Sequence, residues 1–119
     1  MTKKEFLELV DEEISIVRET LRKKNSDYTS DSDDPFANFK LAEHIGVGTA
    51  EQGLLIRVMD KIQRLKSFTS KGSLQVNTES YQDSLRDIMG YCLLLSGMLK
   101  EKQKSVYPFN HKPNTNLQD

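Results

Sequence analysis

The chain has 119 residues and a mass of 13.6 kDa, enough for one domain with its own apolar core. Hydrophobic residues make up 36% and charged residues 29%, and the absence of a long apolar run excludes a membrane span and a signal peptide, so a soluble, cytoplasmic protein is expected. A formal charge of −1 and a pI near 6.1 exclude a chain-wide positive field that would gather nucleic acid, so any anion site must be local.

The first element is announced by Thr2-Lys3-Lys4-Glu5, the capping-box spacing in which a hydroxyl and a carboxylate satisfy the exposed amides of a helix start. Leu7, Val10, Ile14, Val17 and Leu21 follow in steps of three and four and predict an apolar seam, with Glu5, Glu8, Glu12 and Glu19 opposite it on a solvated face. Asn25 and Ser26 predict the end of this helix near Lys24. Residues 25–35, NSDYTSDSDDP, read as a loop. Asp31, Asp33 and Asp34 lack the glycine and the distal glutamate of an EF-hand.

Pro35 introduces a short helix over Phe36–His44, anchored by Phe36 and Phe39 and stopped by Gly46. Thr49-Ala50-Glu51-Gln52 is a second capping box and opens a long helix to about Phe68, with a core seam of Leu54, Leu55, Val58, Ile62 and Leu65. Its other face collects Arg57, Asp60, Lys61 and Arg64. Two readings compete there: an ordinary surface ladder of ion pairs, or cations for phosphate with Asp60 helping to hold a metal.

Residues 69–78 read as a connecting loop, and Asn77 or Thr78 as the cap of the last long helix. In that helix Leu85, Ile88, Cys92, Leu95 and Leu99 fall on one predicted core side, with Cys92, the only cysteine, as a small apolar filler. Glu79, Asp83 and Asp87 line up at i, i+4, i+8 on the other, and this stripe continues through Gly90, Leu94 and Gly97, so its lower half must be covered by protein or by a close-lying ligand. The stripe is either the best site candidate in the chain or a solvated first turn suited to the helix dipole. The expected architecture is all-α: a bundle of three long helices plus one short helix, a domain over 1–104 and a C-terminal tail over 105–119.

No spacing signals a catalytic Ser-His-Asp or Cys-His arrangement, a zinc site or a Gly-rich phosphate loop. What remains is helical carboxylates beside Lys and Arg. Hard oxygen ligands of this kind select Mg²⁺ or Mn²⁺ bridged to phosphates, chemistry suited to hydrolysis of a nucleoside triphosphate.

The runs Lys24-Asn25-Ser26-Asp27-Tyr28, Asp34-Pro35-Phe36-Ala37-Asn38-Phe39 and Arg57-Val58-Met59-Asp60-Lys61-Ile62-Gln63-Arg64, with Glu79, Asp83-Ser84-Leu85-Arg86-Asp87 and Tyr91, carry a resemblance. They resemble a family of small phage and prophage proteins described as nucleotide-modification-associated, similar in turn to the all-α MazG-like nucleoside triphosphate pyrophosphohydrolases. The resemblance implies Asp83 and Asp87 as metal ligands and catalytic residues, with Asp60 as a further one and Glu79 on the same acidic stripe. It implies Lys24, Asp27, Tyr28, Asn38 and Lys61 for nucleotide recognition, with Arg57 and Arg64 also facing phosphates. It further implies a Mg²⁺-dependent pyrophosphohydrolase acting on a (d)NTP, a homodimer or homotetramer, and the cytoplasm of a host if the chain is phage-encoded. The acids depart from the MazG pattern in being spaced by four rather than three. A protein that holds a nucleotide, or a nucleotide-derived signal, without cutting it is the alternative.

A third reading comes from Lys40 to Thr49, which with the following helix has the spacing of a helix-turn-helix. Against it, the helix begins Ala50-Glu51-Gln52-Gly53-Leu54-Leu55, with few groups able to read bases or touch phosphate. Nucleic acid is therefore not the expected partner.

Overall fold

The computed structural model describes residues 1–29, 33–71 and 80–106, with side chains described over 1–25, 33–71 and 80–104. Four helices follow one another, α1 (Lys3–Thr29), α2 (Ala37–His44), α3 (Ala50–Lys71) and α4 (Tyr81–Val106), and there is no strand among the described residues. The architecture is all-α, three long helices and a short one.

Local chemistry accounts for the helix starts. Thr2 and Glu5 exchange hydrogen bonds, Thr2 N–H to Glu5 Oε2 at 3.2 Å and Glu5 N–H to Thr2 Oγ1 at 3.1 Å. Thr49 and Gln52 repeat the pattern at 3.0 and 3.1 Å, so both predicted capping boxes form. Gly46 ends the short helix region with φ at +79°, a backbone that favours glycine. At α4 a third capping box, from Ser80 and Asp83, makes the cap: Asp83 N–H donates to Ser80 Oγ and Ser80 N–H to Asp83 Oδ2, both at 3.2 Å. The predicted caps Asn77 and Thr78 lie outside the described residues, as do Asp31 and the tail from 107. The ends run longer than expected, α1 to Thr29 rather than Lys24, α3 to Lys71 and α4 to Val106. Asn25 and Ser26 do not stop α1, because a polar residue weakens a helix without breaking it.

Helices α3 and α4 pack antiparallel. Phe68 stacks on Tyr81 at 4.9 Å between centroids, Lys61 meets Asp87, and Ala50 and Leu54 share one buried cluster with Phe36 and Met98. Helix α1 packs along α4 and touches α2. Phe36 sits where α2 begins and lies over α4 because Gly97 offers no side chain: a Cβ there would stand 2.7 Å from Phe36 Cζ. A polar strap holds that corner. Lys40 Nζ bridges Asp34 Oδ2 at 2.7 Å and Glu101 Oε1 at 3.2 Å, while Asp34 Oδ1 accepts from Phe36 N–H at 2.9 Å.

Three predicted seams are rotated. On α1, Leu7 and Ile14 are exposed and the covered face runs through Val10, Glu13, Val17 and Leu21. On α3, Leu55 and Ile62 are exposed, whereas Glu51, Leu54, Val58, Lys61, Leu65 and Phe68 face inward. On α4, Leu85, Cys92 and Leu99 are exposed, while Ser84, Gly90 and Met98 are buried. The expected core role of Cys92 is thus corrected. On α1 and α3 the inner face carries a charge with a partner on α4, Glu13 with Arg86 and Lys61 with Asp87, and an apolar neighbour is turned outward. The expectation that the acidic stripe of α4 runs into a covered half holds, since Gly90 lies against Leu21 and Gly97 under Phe36.

Gly97→Ala should lower stability by about 1–3 kcal/mol, because the added methyl meets a buried ring that cannot retreat. Gly90→Ala, whose Cβ would find Leu21 at 3.6 Å, should be accommodated. Thermal melts of the two variants separate these outcomes.

Candidate functional site

Residues 16–25 of α1, residues 35–39 at the start of α2, Arg57 of α3 and the first half of α4 line an open cavity of about 580 Å³, a size typical of small-molecule sites. Its walls are largely apolar, with Val17, Leu21, Phe36, Phe39, Tyr91 and Leu94 among them. The polar groups reaching it are Lys24, Asn38, Arg57, Asp83, Arg86 and Asp87, with Thr20 and Asn25. Five of the sequence-predicted residues therefore come together here: Lys24, Asn38, Arg57, Asp83 and Asp87.

Others stand elsewhere. Asp60 and Arg64 do not line the cavity; Arg64 Nε lies 3.4 Å from Asp60 Oδ2 on the exposed side of α3, the ordinary ladder of the competing reading. Lys61 faces inward and places Nζ 3.0 Å from Asp87 Oδ2, with side chains only 15% and 26% exposed. Glu79 and the side chains of Asp27 and Tyr28 lie outside the described residues.

The carboxylates are already committed to cations or amides. Asp87 is held by Lys61. Asp83 closes the capping box with Ser80, and its Oδ1 lies 3.9 Å from Arg86 Nη1. Among the described residues no group of three or more His, Cys, Asp or Glu gathers in a way that could hold a metal ion. Magnesium asks for several hard oxygens around an octahedral centre, so the donor set described for one chain does not fit it.

Arg86 and Glu13 were not singled out from the sequence as site residues, yet they form the most closely fitted ion pair beside the cavity. Arg86 Nε and Nη2 donate to the two Glu13 oxygens at 2.6 and 2.9 Å, a bidentate fork. The hydrogen bond from Arg86 holds the Glu13 carboxyl below its ordinary value, against the opposing effect of burial. The signal was present in the sequence as an acid at a seam position of α1, where a lone charge would be costly.

Of the charged side chains lining the cavity, those without an ion-pair partner among the described residues are cationic. Lys24 stands at the cavity with no carboxylate partner among the described residues, and Arg57 lies over the Phe39 ring with its guanidinium carbon 5.3 Å from the centroid. A guanidinium stacked on a ring is held in place while its N–H donors stay available. An apolar cavity edged by two such cations suits a ligand with a flat or apolar part and an anionic part.

Comparison with protein families, with curated proteins and with solved structures finds no match to this chain.

Because Glu13 is held below its usual 4.5, the pair adds stability above that pH and the contribution is lost as pH falls through the lower folded-state value. Glu13→Gln should therefore reduce the thermal midpoint at neutral pH. The gap between variant and parent should close under acid below pH 4.5, read by melts across a pH series.

Proposed function

We propose that the cavity binds a nucleotide or nucleotide-derived anion and holds it without hydrolysis. The observation that carries this reading is the pairing pattern: Asp60, Asp83, Asp87 and Glu13 each have a cationic partner, whereas Lys24 and Arg57 are left for the ligand. Phosphate oxygens would be met by these two cations, and a base would find Phe39, Tyr91 and the aliphatic wall.

A second line of support is convergence. Lys24, Pro35, Phe36, Asn38, Phe39, Arg57 and Tyr91 belong to separate runs that carry the resemblance to the phage nucleotide-modification-associated family, and all of them line this one cavity. The pyrophosphohydrolase reading needs a metal-binding carboxylate group that the described residues of one chain do not assemble. The helix-turn-helix reading needs cations on the outer face of α3, where Leu55, Ile56, Met59 and Ile62 are exposed instead. No described helix is long and apolar enough to cross a membrane.

Titration calorimetry of the purified chain with a panel of nucleoside mono- and triphosphates, in Mg²⁺ and in EDTA, tests the reading. Binding in both media with no pyrophosphate released is expected, and Lys24→Ala or Arg57→Ala should each weaken it about tenfold, roughly 1.4 kcal/mol. Asp60→Asn should leave affinity unchanged. Pyrophosphate released only with Mg²⁺, and abolished by Asp87→Asn, would restore the hydrolase, and no heat with any nucleotide would remove the ligand class altogether.

A further inference from the structure

We propose that the ion pairs at its edge limit the cavity to a ligand bearing a single phosphate, a nucleoside monophosphate, and that Glu13 and Asp87 set this limit. The inference rests on the nucleotide reading and names the ligand class within it. Five charged side chains line the cavity, the cations Lys24, Arg57 and Arg86 and the carboxylates of Asp83 and Asp87, an excess of one positive charge. Glu13 and Lys61 stand behind this lining, each paired with one member of it, and their own charges cancel. A phosphomonoester carries about −1.5 to −2 at pH 7, and every further phosphate in a chain adds more negative charge. One phosphate group matches what the cavity offers.

The two other cations in reach are withheld from a ligand. Arg86 spends Nε and Nη2 on the Glu13 carboxylate at 2.6 and 2.9 Å, and its Nη1 has Asp83 Oδ1 at 3.9 Å. A guanidinium flanked in this way by two carboxylates presents little uncompensated charge. Lys61 Nζ is 3.0 Å from Asp87 Oδ2, and of these two residues only Asp87 lines the cavity. For a phosphate to capture either cation, Glu13 or Asp87 would be left largely out of water without its partner, which is the costly part of breaking a half-buried pair.

A longer phosphate chain would also meet like charge. The carboxylates of Asp83 and Asp87 share the lining with the cations, so added phosphates are placed beside negative groups. A divalent ion offsets such crowding by bridging phosphates to protein carboxylates, and among the described residues no group of three or more His, Cys, Asp or Glu is placed to hold one. Lys24 and Arg57, the latter fixed over Phe39, are then the donors for one phosphate.

Calorimetric titration of the full chain in EDTA with the nucleoside, the 5′-monophosphate and the 5′-triphosphate of each common base tests the limit. The monophosphate should bind about tenfold tighter than its nucleoside, and the triphosphate no tighter than the monophosphate. Glu13→Gln, which frees Arg86, and Asp87→Asn, which frees Lys61, should each raise the affinity for triphosphate relative to monophosphate by about tenfold. Circular dichroism at the titration temperature checks that the variants are folded, and the order of affinities in the parent stands whatever they do to stability. Asp60→Asn removes the same charge outside the cavity and should leave the ratio as it is. A parent that binds triphosphate tighter than monophosphate, a ratio unmoved by Glu13→Gln and Asp87→Asn, or one that Asp60→Asn raises equally would overturn this inference and leave the nucleotide reading in place. No heat with any nucleotide would remove both.

Discussion

Charged side chains that face into this bundle set the rotation of its helices. Lys61 and Asp87 occupy seam positions between α3 and α4, and Glu13 and Arg86 do the same between α1 and α4. A charge withdrawn from water must find an opposite charge or a set of hydrogen bonds, and the cost of leaving it alone exceeds that of turning one leucine outward. Each pair can form only if its helices are rotated to bring both partners inward. Leu55, Ile62, Ile14 and Leu85 are exposed as the consequence.

The same pairing shapes the cavity. With Asp87 and Asp83 neutralised or capping within the chain and Arg86 paired with Glu13, the local field is set by Lys24 and Arg57 against apolar walls. The close approach of Phe36 to Gly97 brings the start of α2 down onto α4 and places Phe39 where Arg57 can stack on it. Strap, stack and ion pairs thus come from four separate stretches of chain. They converge because each satisfies a polar group or fills a gap that another leaves.

Helix type, capping and element order depend on neighbours a few residues away, and for that reason they could be read from the order of amino acids. Thr2 with Glu5 and Thr49 with Gln52 close their boxes, Gly46 takes the left-handed backbone, and the all-α architecture of three long helices and a short one is as expected. The extension of the α4 acidic stripe into Gly90 and Gly97 was legible too, since glycines on a helix face imply something close above them. Of the residues that the sequence singles out, Lys24, Asn38, Arg57, Asp83 and Asp87 line one cavity.

Which face each helix turns inward was decided only by tertiary structure. Periodicity finds two apolar stripes on α3 about a quarter to a third of a turn apart, and nothing local distinguishes the one that will meet α4 from the one left outside. That choice falls to partners distant along the chain, Glu13 for Arg86 and Lys61 for Asp87. The roles of the carboxylates follow from it, because an acid becomes a metal ligand or half of an ion pair according to what the fold places within about 3 Å of it.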